Sequence, residues 1–90
     1  MKKKIPDKAW KVIQDKKHHT KGAFARAKNS KVCGVYDSRA VRWCAVGALY
    51  LVYPTQQEVQ LKKVDFRRLS KMNDNQPHEE VVKFLKDQDL

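Results

Sequence analysis

The chain has 90 residues, of which 41% are hydrophobic and 33% charged, and its formal net charge is +10 at pH 7. This length predicts a single domain over residues 1–90, and the hydrophobic content excludes a wholly disordered chain. The longest apolar stretch, residues 43–53, is far shorter than the roughly 20 residues that cross a bilayer, so we expect neither a transmembrane helix nor a membrane partner.

The N-terminus predicts a flexible basic tail at residues 1–4. A basic start is also typical of signal peptides, but the sequence Pro-Asp-Lys at residues 6–8 stands where an apolar segment would be needed. We therefore expect a protein of the cytoplasm, in which both cysteines, Cys33 and Cys44, are reduced thiols.

Two helices are predicted in the first half of the chain. Residues 5–17 place Trp10 and Ile13 on one face at helical spacing. Residues 38–53 form the most apolar segment, and a helix that is apolar on every side is buried on every side. Between them, residues 29–37 contain loop-forming residues together with a few β-branched ones, which predicts either an irregular segment or a short β segment.

Two further helices are predicted in the second half. Residues 55–72 open with Thr55 and Glu58, which fit a capping box, and residues 77–88 carry acidic side chains in their first turn, which suit the helix dipole. The predicted fold class is thus mostly α, a compact bundle of about four helices around a buried central helix at residues 38–53.

The positive charge is concentrated in the N-terminal third. Residues 1–31 carry eleven Lys or Arg and two Asp, whereas residues 73–90 carry two Lys and five acidic residues. Such a field favours a polyanionic partner, either nucleic acid or an acidic protein surface, although a lysine face can also serve solubility alone. The candidate partner- or phosphate-binding residues are Lys8, Lys11, Lys16, Lys17, Lys21, Arg26, Lys28, Lys31, Arg67, Arg68 and Lys71.

Two segments stand out in combination: residues 43–49, which read Trp-Cys-Ala-Val-Gly-Ala-Leu, and Asn73-Asp74 followed by His-Glu-Glu-Val-Val at residues 78–82. Together they resemble an uncharacterised family of small phage and bacterial proteins. The resemblance implies a bacterial host cell and carries no activity. The chain departs from that family in its lysine-rich N-terminal third, so a function based on charge would belong to this chain and not to the family.

Thiol chemistry is one candidate activity, with Cys44 as nucleophile, His78 as base and Asp74 as the orienting carboxylate. The predicted position of Cys44 inside the most apolar helix argues against it, because burial disfavours the reactive thiolate. His78 is expected instead to bond the Asn73-Asp74 turn or to face solvent. A packed core cysteine is the simpler interpretation, and no catalytic residue is assigned.

A zinc site would need Cys33, Cys44 and two of the three histidines, His18, His19 and His78. The spacing C-x10-C lacks the close cysteine pair of structural zinc sites. The three glycines are isolated, so no phosphate-binding loop is present either. We therefore expect neither a metal nor a cofactor.

Three functional hypotheses follow. The first is a non-enzymatic accessory or inhibitor protein of phage type, which docks through its basic surface on an acidic host protein or ribonucleoprotein. The second is sequence-independent binding of nucleic acid through the same residues, since no sequence-reading motif is present. The third and least favoured is a cysteine-dependent enzyme that uses Cys44.

Overall fold

The protein, seen in a computed structural model, is described over residues 5–55 and 57–90, except for the side chain of Glu58. The predicted basic tail at residues 1–4 lies outside these residues. The described part is mostly α, with one two-stranded antiparallel sheet. In chain order its elements are α1 (Ala9–Ile13), a 3₁₀ turn (Lys16–His18), β1 (Ala25–Ala27), β2 (Ala40–Trp43), α2 (Ala45–Val52), α3 (Gln57–Leu61), α4 (Phe66–Asn75) and α5 (His78–Asp87).

The segment predicted as one helix over residues 38–53 is a strand followed by a helix. β2 pairs with β1, and the Trp43 carbonyl accepts a further hydrogen bond from the N–H of Thr20 at 3.0 Å. A continuous apolar run does not distinguish a buried strand from a buried helix, and the partner strand decides between them. The helix prediction is therefore wrong for residues 38–44, of which 40–43 form the strand, and the helix begins at Ala45.

The predicted bundle of about four helices around one central helix is not confirmed. α2 contacts α1, α4 and α5, but a sheet occupies part of the predicted helical segment. Residues 29–37 consist of turns, apart from an isolated bridge between Val32 and Arg26. Of the two structures predicted for this stretch, the irregular one therefore predominates.

The first helix of the chain differs from its predicted bounds, whereas the last helix agrees with them. Within residues 5–17, α1 stops early, and the Asp15 carboxylate accepts from the N–H of Lys17 to open the separate 3₁₀ turn. α5 fills residues 78–87 of the predicted range 77–88. A local side-chain cap thus divides the first predicted helix, whereas the last one is continuous.

The helix predicted over residues 55–72 is divided into α3 and α4. Lys63 adopts a left-handed φ of 55°, which ends the first helix, and the Asp65 carboxylate accepts from the N–H groups of Arg67 and Arg68 to cap the second. The predicted capping box at the start of this segment involves a side chain outside the described residues. The sequence interpretation overlooked Asp65, a second capping residue inside the range 55–72.

The hydrophobic core lies between α1, α2, α4 and α5. The Trp10 N–H donates to the Leu90 carbonyl at 3.2 Å, which holds α1 against the buried end of the chain. Burial of each large aliphatic side chain contributes about 1.5–3 kcal/mol. The fully buried ones include Ile13, Leu49, Leu69, Leu85 and Val81.

Gly47 allows the chain before β1 to lie directly on α2. A Cβ at this position would sit 2.1 Å from the carbonyl oxygen of Phe24, which is closer than any carbon atom can approach. The same carbonyl accepts a hydrogen bond from the N–H of Cys44 at 3.1 Å. The lack of a side chain at Gly47 therefore allows the Phe24 backbone to lie against the first turn of α2.

We expect Gly47→Ala to destabilise the fold by about 1–3 kcal/mol, because the new methyl group must displace backbone. The opposing gain in helix propensity is only about 1 kcal/mol. Gly34→Ala is the matched control, since nothing lies within 4 Å of its Cβ position. Urea denaturation checks both variants, and a wild-type midpoint for Gly47→Ala would contradict the close contact.

Candidate nucleic-acid interface

The basic N-terminal third is attached to α4 through a short segment around Gly22. The Lys21 ammonium donates to the Gln76 carbonyl at 3.0 Å, and the Gly22 N–H donates to Asp74 Oδ1 at 3.0 Å. These contacts join parts of the chain that are more than fifty residues apart. Charges that are separate in the sequence therefore share one surface.

A groove opens at this junction. It has a volume of about 350 Å³ and is lined by residues 22–24, Val32, Cys44, Ser70 and Asp74. We call it the α4 groove. Its size lies at the lower end of the roughly 300–1,000 Å³ of small-molecule sites.

Phe24 is the aromatic residue that lines the α4 groove, and other rings pack behind it. Phe24 is 54% exposed and meets Tyr50 edge to face, with ring centroids 6.0 Å apart. Tyr50 in turn meets Phe66 at 5.5 Å. The Phe24 ring is thus supported on one side, while about half of its surface is open to solvent.

None of the candidate cations lines this groove. We call four of them, placed near its lining residues, the rim cations: Lys21, Arg26, Arg67 and Lys71. Arg67 and Lys71 share a face of α4 with the two α4 residues that line the groove, because positions three and four apart are neighbours on a helix. Arg26 lies 3.7 Å from where a Cβ of Gly22 would be. Its guanidinium also donates to the carbonyls of Ser30 and Lys21.

The remaining candidate cations are placed differently. Lys8 and Lys11 are ion-paired, with Asp89 at 3.2 Å and with Asp7 at 2.8 Å, which partly cancels their charge. The others are exposed but are not joined to the groove by any contact of the described residues: Lys16, Lys17, Lys28, Lys31 and Arg68. Their role in binding stays a prediction.

Arg68 lines a second cavity, on the opposite face of α4, where the volume is about 500 Å³. Lys62 and Lys63 reach it from the preceding turn, and its apolar wall includes Met72 and Phe84. Positions two apart point in nearly opposite directions on a helix, so Arg68 and Ser70 belong to different cavities. The three cations of α4 therefore do not act on one site.

Behind the groove, the amide of Asn73 holds three elements together. Asn73 is 1% exposed, and its Oδ1 lies 3.0 Å from the Ala45 nitrogen and 2.6 Å from His19 Nε2. The Ala45 N–H can only donate, so the amide oxygen accepts, and His19 must carry its proton on Nε2. The amide nitrogen donates to the Thr20 carbonyl at 3.1 Å.

His78 does not bond the Asn73-Asp74 segment, and it does not simply face solvent. Its Nε2 donates to the Ile13 carbonyl, and its ring lies 5.2 Å from that of His19. Because α4 continues to Asn75, the Asn-Asp pair forms helix and not the predicted turn. His78 therefore serves to connect α5 to the end of α1.

Cys44 is buried, but it does not lie in the middle of a helix as predicted. It is 5% exposed and caps α2, where its sulfur accepts from the Gly47 N–H at 3.2 Å. Burial raises the pKa of this thiol. Neither His78 nor Asp74 hydrogen-bonds the sulfur among the described contacts, and Cys33 is also a free thiol.

The sequence interpretation missed Phe24 and the structural role of Asn73. Phe24 gives a usable signal, since it is an aromatic residue in a lysine-rich stretch without large apolar neighbours at helical spacing. Asn73 gives none, because a polar residue beside Asp74 is more typical of a turn.

No protein-family model, curated protein or solved structure gives a significant match to this chain. The resemblance to small phage and bacterial proteins therefore stays a prediction. Among residues 5–55 and 57–90, no helix is both long and apolar enough to cross a membrane. Within the same residues, no three His, Cys, Asp or Glu side chains cluster as a metal site would require.

We expect Cys44 to resist alkylation in the folded protein, because its sulfur is buried and its pKa is raised. A Cys33→Ser variant leaves Cys44 as the single thiol, and mass spectrometry before and after unfolding in urea measures its labelling. Rapid labelling without urea would contradict the buried cap and would revive thiol chemistry.

The stability of the fold should fall in mild acid because of His19. Burial lowers the pKa of His19, the nearby charges of His78 and Lys21 lower it further, and Asn73 and Asp74 oppose the change. The unfolded chain then binds a proton more readily, so the stabilisation is complete above about pH 6.5 and is lost below it.

Urea denaturation at about pH 7.5 and pH 5 measures this loss. His19→Gln should reduce the difference in stability between the two pH values. An equal pH dependence in wild type and His19→Gln would show that other groups are responsible.

Proposed function

We propose that the protein binds nucleic acid without sequence preference, through the surface around the α4 groove. The observation that carries this proposal is the half-exposed ring of Phe24 in a groove whose neighbouring cations come from two distant segments. Cations that neutralise phosphates supply most of the affinity of such binding, and aromatic side chains accept any base. A protein that recognises a base sequence in duplex DNA inserts a recognition element into the major or minor groove of the duplex. The α4 groove of this protein does not provide such an element.

The charge distribution supports the proposal. The ion pairs of the described residues involve only Lys8, Lys11 and Arg39, so none of the rim cations is neutralised by a carboxylate within 4 Å. Unpaired cations on one surface attract a polyanion over the Debye length, about 8–10 Å at physiological salt. The acidic residues in the first turn of α5, Glu79 and Glu80, lie on a different helix from the rim cations.

Docking on an acidic protein or ribonucleoprotein of a host would use the same cations. Specific protein interfaces bury about 800 Å² on each partner and are centred on desolvated aromatic or Arg side chains. The α4 groove offers one exposed ring, supported by others, between unpaired charges. This arrangement suits a chain of alternating phosphates and bases better than a broad apolar contact.

We expect Lys71→Gln to weaken binding to single-stranded and duplex DNA or RNA. The slope of log affinity against log salt should fall by about one for this lost phosphate contact. Fluorescence anisotropy with labelled oligonucleotides over a salt series measures both effects.

The matched control is Lys83→Gln, which removes the same charge from an exposed position on α5. It should change neither the affinity nor the slope by more than a small amount. Absence of binding at the lowest salt would refute the proposal. It would favour an acidic protein as the partner of the rim cations.

A further inference from the structure

We infer that the α4 groove takes an unpaired base, so that the protein prefers single-stranded over double-stranded nucleic acid. This inference rests on the proposed function, and it adds how the strand is oriented. The base would lie against Phe24 within the groove, and the phosphates on either side of it would face the rim cations.

The exposed ring of Phe24 is the first reason. A phenylalanine leaves 54% of its surface in water here, although the Tyr50 and Phe66 rings behind it fix its position. Val32, next to it in the groove, is 65% exposed. Contact with a flat heteroaromatic ring would remove this apolar surface from water, and every base has such a face.

The size of the groove favours an unpaired base. A volume of about 350 Å³ accommodates one base with part of its sugar. In a duplex the base faces are covered by their neighbours, and exposing one of them costs a few kcal/mol of unstacking and unpairing. A single strand has little of this cost, so the groove favours it.

The charges of the groove and of the rim cations determine which part of the nucleotide, base or phosphate, enters the α4 groove. The floor of the groove contains the carboxylate of Asp74, whose Oδ1 accepts from the N–H of Gly22 and from the amide of Asn73. A phosphate placed there would be repelled, whereas the amino group of a base could donate to the carboxylate. Phosphates are instead attracted to the rim cations, of which Arg67 and Lys71 are exposed and share a face of α4 with Ser70 and Asp74.

The experiment compares three labelled probes of equal length at one salt concentration: a single strand, its duplex, and a strand with abasic sites in place of bases. Wild-type protein should bind the normal single strand at least about fivefold more tightly than either of the others. Phe24→Ala should lower affinity for the normal single strand by at least about fivefold and leave the other two unchanged.

Two further variants test whether Phe24 acts through stacking. Phe24→Trp should keep or increase the affinity for the normal strand, and Leu61→Ala, which truncates an exposed side chain on α3, should have no effect. Circular dichroism and urea denaturation establish that each variant is folded.

Equal binding of the normal and abasic strands would overturn the inference. So would an equal loss for all three probes in folded Phe24→Ala. In both cases the salt-dependent binding through Lys71 would remain, so the proposed function would survive. If none of the probes binds at low salt, the proposed function and the inference fail together.

Discussion

The buried amide of Asn73 is the interaction on which the arrangement of the candidate site depends. Its oxygen receives the first N–H of α2 and the ring of His19, and its nitrogen reaches the Thr20 carbonyl. Each of these groups would otherwise lose water without gaining a partner, which costs about 1–3 kcal/mol per group. One side chain of α4 thus determines where α2 begins and where the basic segment runs.

That placement explains why the groove is open on one side and charged on its rim. Gly47 lets the Phe24 backbone lie on α2, while the Gly22 N–H is bound to Asp74 of α4. The segment from Gly22 to Phe24 is thereby held next to Cys44, whose N–H donates to the Phe24 carbonyl. The basic third is consequently attached at several points and does not form a free tail over residues 19–27.

The residues on which the predicted resemblance to small phage and bacterial proteins rests make structural contacts in this chain. The indole of Trp43 donates to the Val35 carbonyl, Cys44 caps α2, and Gly47 permits the close contact with Phe24. Asn73 organises the same region from α4. The rim cations are separate from these positions.

The sequence by itself determined the mostly α composition, the last helix, the burial of Cys44 and the concentration of charge, because these follow from local periodicity and residue type. Only the tertiary structure decided that residues 40–43 form a strand, since the same apolar run suits either element until β1 pairs with it. It also decided that Asn73 is buried and that the basic segment at residues 21–22 is attached to α4. Those outcomes depend on contacts between residues 13 to 55 positions apart, and no local pattern contains that information.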